Sequence, residues 1–319
     1  MPIHDLGYRH WESNAWSTMR WWVIAQTGIR LAWKSHWLRR MLLIAWLPAV
    51  GMGAALFAYE RSLTADPGGT VTQEILRLLP NSDSVLRSTI IDPAGARGEI
   101  WGFILLTFFR YPQGLLMVLL VGLIAPSLIA RDMRSRAYLL YFSRPLGRAD
   151  YVLGKCVIVW FYLAMITTVP AMALYVLGVF LSPSLSVVSD TWDLPLRILG
   201  ASVWLIVPTT AVALCFSSLT SESRYAGFAW FVTWILGWVA YSNLTFFDLQ
   251  RAGQPGAADS SGSRWALVSL YHSLGRVQSW VFGLENDAAT VIAPLALLML
   301  ITLVSFAILF RRVSAPLRA

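Results

Sequence analysis

Apolar positions in this chain gather into six runs, at about residues 41–59, 112–130, 156–180, 198–217, 225–243 and 289–310. Each is close to the roughly 20 residues an α-helix needs to cross the hydrocarbon core of a bilayer. The pattern predicts an all-α polytopic membrane protein with six transmembrane helices. An even number of crossings places both termini on one side.

Between the runs the polar positions carry a different period. In residues 17–40, Trp22, Ala25, Ile29, Trp33 and Trp37 recur at a 3–4 spacing, while Arg20, Arg30, Lys34, Arg39 and Arg40 supply cations. That is the pattern of an interfacial amphipathic helix on the inner leaflet. Residues 1–40 are thus read as a cytoplasmic N-terminus with an interfacial helix, and 41–319 as the six-helix domain. Two outer loops, 60–111 and 244–288, are too long for simple turns. The first turns apolar through Trp101–Phe109, too short a stretch to span, and predicts an outer interfacial or re-entrant helix; a long, bent second span is the alternative. In the second, Trp265, Val268, Tyr271, Leu274, Val277, Val281 and Leu284 keep a helical period.

Composition agrees with lipid as the solvent: 57% of residues are hydrophobic and 13% charged. The net charge of +8 does not point to nucleic acid, because the basic residues flank apolar runs. With the N-terminus inside, 16 of the 25 Lys and Arg fall on the cytoplasmic side, against 5 of the 17 acids. This satisfies the positive-inside rule and predicts a multi-pass protein of the cell (inner) membrane with both termini cytoplasmic. No signal peptide is read at the N-terminus, so the first span serves for insertion. Cys156 and Cys215 fall at the inner ends of two spans, where a disulfide is not expected.

The most charged interruption is 131–155, with five Arg and one Lys. Tyr138, Leu139, Tyr141 and Phe142 form an apolar face at helical spacing, Pro145 and Gly147 break it, and Asp150 caps a helix entering the next span. An ordinary basic inner loop is the competing reading, but a plain connector needs no apolar face. Asp132, then Ser143-Arg144-Pro145, then Tyr151-Val152-Leu153-Gly154-Lys155 stand in the order found in permease subunits of ABC-2 type ABC transporters. The chain resembles that family, and within it the NatB-like exporter permeases. It departs at Arg136-Ala137, where the family usually has Gly-Thr. The resemblance implies that 131–155 is a coupling loop holding a cytoplasmic coupling helix, and that residues 17–40 are the connecting helix. It further implies ABC ATPase partner subunits carrying ATP and magnesium, and a second permease copy or paralogue. On this reading Asp132, Arg134, Tyr138, Tyr141, Arg144, Pro145 and Arg148 are the residues expected to carry ATPase coupling, the charged ones pairing with acidic groups of the ATPase.

Chemistry within the chain is sparse. The spans hold essentially no ionisable residues, which disfavours an ion-driven transporter. Gly154-Lys155 fails as a phosphate loop, since Ala149 replaces the first Gly and Cys156 the Ser/Thr. His4, His10, His36 and His272 all lie outside the spans, so neither a catalytic nor a metal-ligating set emerges. An intramembrane enzyme is the weaker alternative; a scaffold that recruits a cytoplasmic partner without moving solute is the stronger.

Small residues recur every four positions at Ala45, Ala49 and Gly53, and at Ala229, Thr233 and Gly237. Such faces let another backbone approach, either in a subunit interface or pathway or in packing within one subunit. Thr167, Thr168, Thr209 and Thr210 are the groups available to touch a substrate, and so uncharged a lining suits a hydrophobic or amphipathic cargo.

Overall fold

Every regular element among the described residues is helical. The computed structural model describes residues 19–65, 93–135, 147–182, 186–252, 265–285 and 287–314. In chain order the helices are α1 (Arg20–Trp33), α2 (His36–Ala65), α3 (Pro93–Arg110), α4 (Pro112–Arg134), α5 (Arg148–Ile166) and α6 (Thr168–Leu181). There follow α7 (Val187–Asp190), α8 (Leu194–Leu219), α9 (Ser223–Ala252), α10 (Leu270–Val281) and α11 (Ala288–Ser314), with a 3₁₀ turn at Ala266–Val268.

The helical paths His36–Arg61, Arg97–Arg134, Arg148–Leu181, Leu194–Leu219 and Ala289–Val313 are long and apolar enough to cross a membrane. α9 has the length, at 30 residues, but Trp230, Trp234, Trp238, Tyr241, Ser242 and Asn243 make it less apolar.

Two of these paths are broken by proline. Pro112 has no N–H to return to Phe108, so the chain bends at Tyr111, where the bond from the Leu115 N–H to the Tyr111 carbonyl stretches to 3.5 Å. Trp101–Phe109, expected as an outer helix or as part of a long, bent second span, lies in a helix of its own, α3, which runs end to end into α4 through Tyr111. Likewise Pro170 cannot donate to the Ile166 carbonyl, and α5 passes into α6 through Thr167, whose hydroxyl donates to the Leu163 carbonyl at 2.8 Å.

The helix that fills the centre is α8. It is apolar all round, and most of its length is buried, with Leu196, Leu199 and Val203 on the face left exposed. It packs against α4, α5, α6, α9, α10 and α11, and Ala201, Ser202, Thr209, Thr210, Ala211, Ala213 and Ser217 let those neighbours come close. At its far end Ser217 clips onto α4 just past Pro126. Its hydroxyl donates to the Pro126 carbonyl at 3.0 Å and accepts the Ile129 and Ala130 N–H groups, each at 3.1 Å. α10 folds back along α8. Leu270 sits by Pro208 and Val212, whereas the Phe282 carbonyl just beyond α10 accepts from Arg197 near the start of α8.

Against the bundle α1 lies along α5. A Cβ at Gly154 would sit 2.9 Å from the Trp21 carbonyl oxygen, so only glycine permits the approach. The Tyr162 hydroxyl donates to the Ile29 carbonyl at 2.7 Å, and the Trp33 and Tyr162 rings stack 6.4 Å apart.

Candidate functional site

Two helix ends meet where α4 leaves the bundle and α5 enters it. Asp132, in the last turn of α4, takes an ion pair from Lys155 Nζ at 2.7 Å and a hydrogen bond from the Tyr151 hydroxyl at 2.7 Å, both on Oδ2. Tyr151 and Lys155 are four residues apart and so share one face of α5. The ammonium also lies 5.3 Å from the centre of the Tyr151 ring. Lys155 is 7% exposed, so its charge depends on Asp132 for compensation. Gly147 begins α5 with its N–H donating to Asp150 Oδ2 at 3.3 Å. Arg134, one turn-end further, is exposed and reaches Glu222 at 3.3 Å, just before α9.

Above this clasp a cavity of about 470 Å³ opens between α1, α2, α4 and α5. Val23, Leu31, Leu38 and Leu123 give it apolar walls, and Arg131, Asp132 and Lys155 close its charged end.

Over residues 37–315 the sequence matches the family model described as ABC-2 family transporter protein. The chain belongs to the ABC-2 transporter family. No curated protein matches it. As an ABC-2 permease it is a multi-pass membrane transport subunit and is not itself catalytic.

Of the residues assigned to coupling, Asp132, Arg134 and Arg148 are described; Tyr138, Tyr141, Arg144 and Pro145 lie outside the described residues. Asp132 turns inward to Lys155 and Tyr151, and Arg134 is engaged by Glu222 of this same permease. Arg148 is exposed in the first turn of α5.

The small-residue face of α2 is filled from within. Ala45 and Ala49 are buried, Gly53 lies against Leu174 and Leu177 of α6, and the Ala45 carbonyl accepts from Gln113 Nε2 at 2.9 Å. On α9, Gly237 abuts the backbone at Val268 and Ser269, while Ala229 and Thr233 are half-buried and linked by the Thr233 hydroxyl. The four threonines differ in their surroundings. Thr167 bonds back to its own helix, the Thr209 hydroxyl faces the Met117 sulfur at 3.4 Å, Thr210 is fully buried and Thr168 is half-buried.

Pattern reading missed a second clamp at the opposite end of the bundle. Glu60 is 3% exposed and takes both arms of Arg97, at 3.1 and 3.2 Å, together with the Trp101 indole N–H at 3.1 Å. This ties the far end of α2 to the start of α3. The signal available was a lone Glu at the end of an apolar run, with no spacing to name its partner. His272, placed outside the spans by the sequence, is buried and stacks on Tyr241 with 3.4 Å between ring centres.

Proposed function

We propose that this permease is the membrane subunit of an ATP-driven exporter, with the Asp132 end facing the cytoplasm. The family match over residues 37–315 is the observation that carries the reading. Cation placement supports the orientation, since Arg131, Arg134, Arg148 and Lys155 crowd the Asp132 end. α9 supplies a sixth crossing beside α4 and α8. Two copies, or this chain and a paralogue, assemble with two ATPase subunits that hold ATP and magnesium.

ATPase closure presses on the segment between α4 and α5, where Tyr138, Tyr141, Arg144 and Pro145 lie. The Asp132–Tyr151–Lys155 clasp joins the two helix ends, so a push at either is delivered to both. α1, bound along α5, travels with them. Contact with the ATPase then falls on the residues between the helices, with Asp132 holding their two ends together.

The test is co-purification in mild detergent, followed by mass spectrometry and an ATPase assay on the eluate. A stoichiometric subunit with a Walker A motif is expected. Arg144→Glu combined with Tyr141→Ala should abolish transport while the permease stays in the membrane. Undiminished transport in that variant overturns the coupling assignment.

A further inference from the structure

The cavity beside the Asp132 clasp is graded from one end to the other. On α4 a single face lines it, Leu123, Ile124, Ser127, Leu128, Arg131 and Asp132, and this face passes from aliphatic to charged over about 12 Å. α1 forms another wall and keeps the same direction. Its Trp21 and Ile24 lie by Gly154, next to Lys155, whereas Ile29 and Trp33 lie by Tyr162, about two turns further along α5. The charged end therefore sits by Val23, and Leu31 and Leu38 wall the end by Leu123. Leu31 and Leu123 are both exposed, so the apolar end is open at the surface of the bundle.

Charge at the other end is not balanced. Lys155 is matched by Asp132, but Arg131, which also lines the cavity, is exposed and forms no ion pair among the described residues. α1 carries no acid and adds Arg30 and Lys34, both exposed; α2 starts with Arg39 and Arg40 and has no acid before Glu60 near its opposite end. A cation facing an open cavity with aliphatic walls is completed by an oxyanion joined to an apolar chain. Basic pockets between transmembrane helices on the cytoplasmic side take anionic lipid headgroups in this way. The volume, about 470 Å³, is that of a ligand site.

We propose that this cavity holds an anionic glycerophospholipid, its phosphate on Arg131 and one acyl chain directed along α4 toward Leu123. That the lipid comes from the inner leaflet rests on the cytoplasmic orientation proposed above. The sense of the amphiphile agrees with that orientation, since its head lies where α4 leaves the bundle and its chain points back along the span. α1 packs on α5 and meets α2, and the cavity lies between it and α4. A lipid seated there joins α1 to the α4 side of the clasp, so the charge of the leaflet sets how firmly α1, α4 and α5 move together.

The test uses the full chain in phosphatidylcholine nanodiscs doped with phosphatidylglycerol or, separately, phosphatidylcholine bearing the same diazirine in one acyl chain, followed by peptide mapping. Choline cancels the phosphate charge, so phosphatidylglycerol should label the peptides containing Val23–Leu31 and Leu123–Leu128 about fivefold more, the effect of about one unmatched cation. Arg131→Gln should remove that preference and Arg131→Lys should keep part of it. Arg312→Gln, which deletes an exposed cation of α11 outside the cavity, should leave it unchanged. Leu31→Trp, a bulky replacement at an exposed lining position, should block labelling with Arg131 intact. Equal labelling by the two lipids, or a preference that survives Arg131→Gln, overturns the proposal. Displacement of the label by millimolar inorganic phosphate makes the site one for a free anion and overturns the lipid assignment. No labelling by either lipid, the result if protein fills the cavity, overturns it as well. Loss of the preference in a permease that still drives an ATPase removes this site and leaves the transporter reading. Selective labelling in a chain that binds no ATPase does the reverse.

Discussion

Asp132→Asn keeps the shape of the side chain and removes its charge, leaving the Lys155 ammonium buried without compensation. Breaking a buried pair from one side costs about 3–5 kcal/mol. The side chains of Lys155 and Asp132 are 9% and 16% exposed, so some solvent reaches the site. That places the expected loss at the lower end, about 3 kcal/mol, or roughly a hundredfold in the folded-to-unfolded ratio. Lys155→Met with Asp132→Asn removes both charges and should lie within about 1 kcal/mol of the unsubstituted protein, because no uncompensated charge is left buried and the Tyr151 hydroxyl can still donate to the amide oxygen. Tyr151→Phe deletes only the second bond to the carboxylate and should cost about 1.5 kcal/mol. The assay is reversible unfolding in mixed micelles by increasing SDS, run as a double-substitution cycle. A coupling energy of at least about 2 kcal/mol is expected between positions 132 and 155. A single Asn variant as stable as the parent, or a double variant as unstable as the two singles summed, would refute the clasp.

Three further outcomes follow from contacts elsewhere. Gly154→Ala places a methyl 2.9 Å from the Trp21 carbonyl, which cannot step aside as a side chain can; it should cost about 1–3 kcal/mol and lengthen the spin-label distance between α1 and α5. Glu60→Gln strands Arg97, whose side chain is 12% exposed, and should destabilise by about 3 kcal/mol and speed protease cleavage between α2 and α3. Ser217→Ala leaves the Ile129 and Ala130 N–H groups without their acceptor, so amide exchange at 129–130 should accelerate, with a loss of about 1–3 kcal/mol.

Hydrophobic periodicity made the helical class and most spans legible, because lipid requires long apolar helices. It was less able to place a helix that is apolar yet bent. Residues 101–109 are too few to span by themselves, and their end-to-end junction with α4 at Tyr111 and Pro112 is not something a count of apolar positions supplies. The motif residues Asp132, Tyr151 and Lys155 were legible as a family pattern, but their mutual contact is a tertiary fact. Nineteen positions separate Asp132 from Tyr151, and no local rule brings them together. The small residues of α2 and the threonines were visible as features whose use was open. Packing within the chain accounts for Ala45, Ala49, Gly53, Thr167 and Thr209.

The central position of α8 bears on how the protein is made. Its neighbours α4, α5 and α6 precede it in the chain, but α9, α10 and α11 emerge from the ribosome afterwards. Until α11 arrives, Cys215 lacks the Ser305 hydroxyl that meets its thiol, and Leu298 is missing from the cluster around Pro208, Thr209 and Val212. A nascent chain halted before Ala288 thus presents small and hydroxylated side chains to lipid along the helix meant for the interior. Such a face is weakly held by acyl chains and open to foreign helices. Membrane quality control would meet its clearest mark of an unfinished chain in α8, well upstream of the missing C-terminal helix.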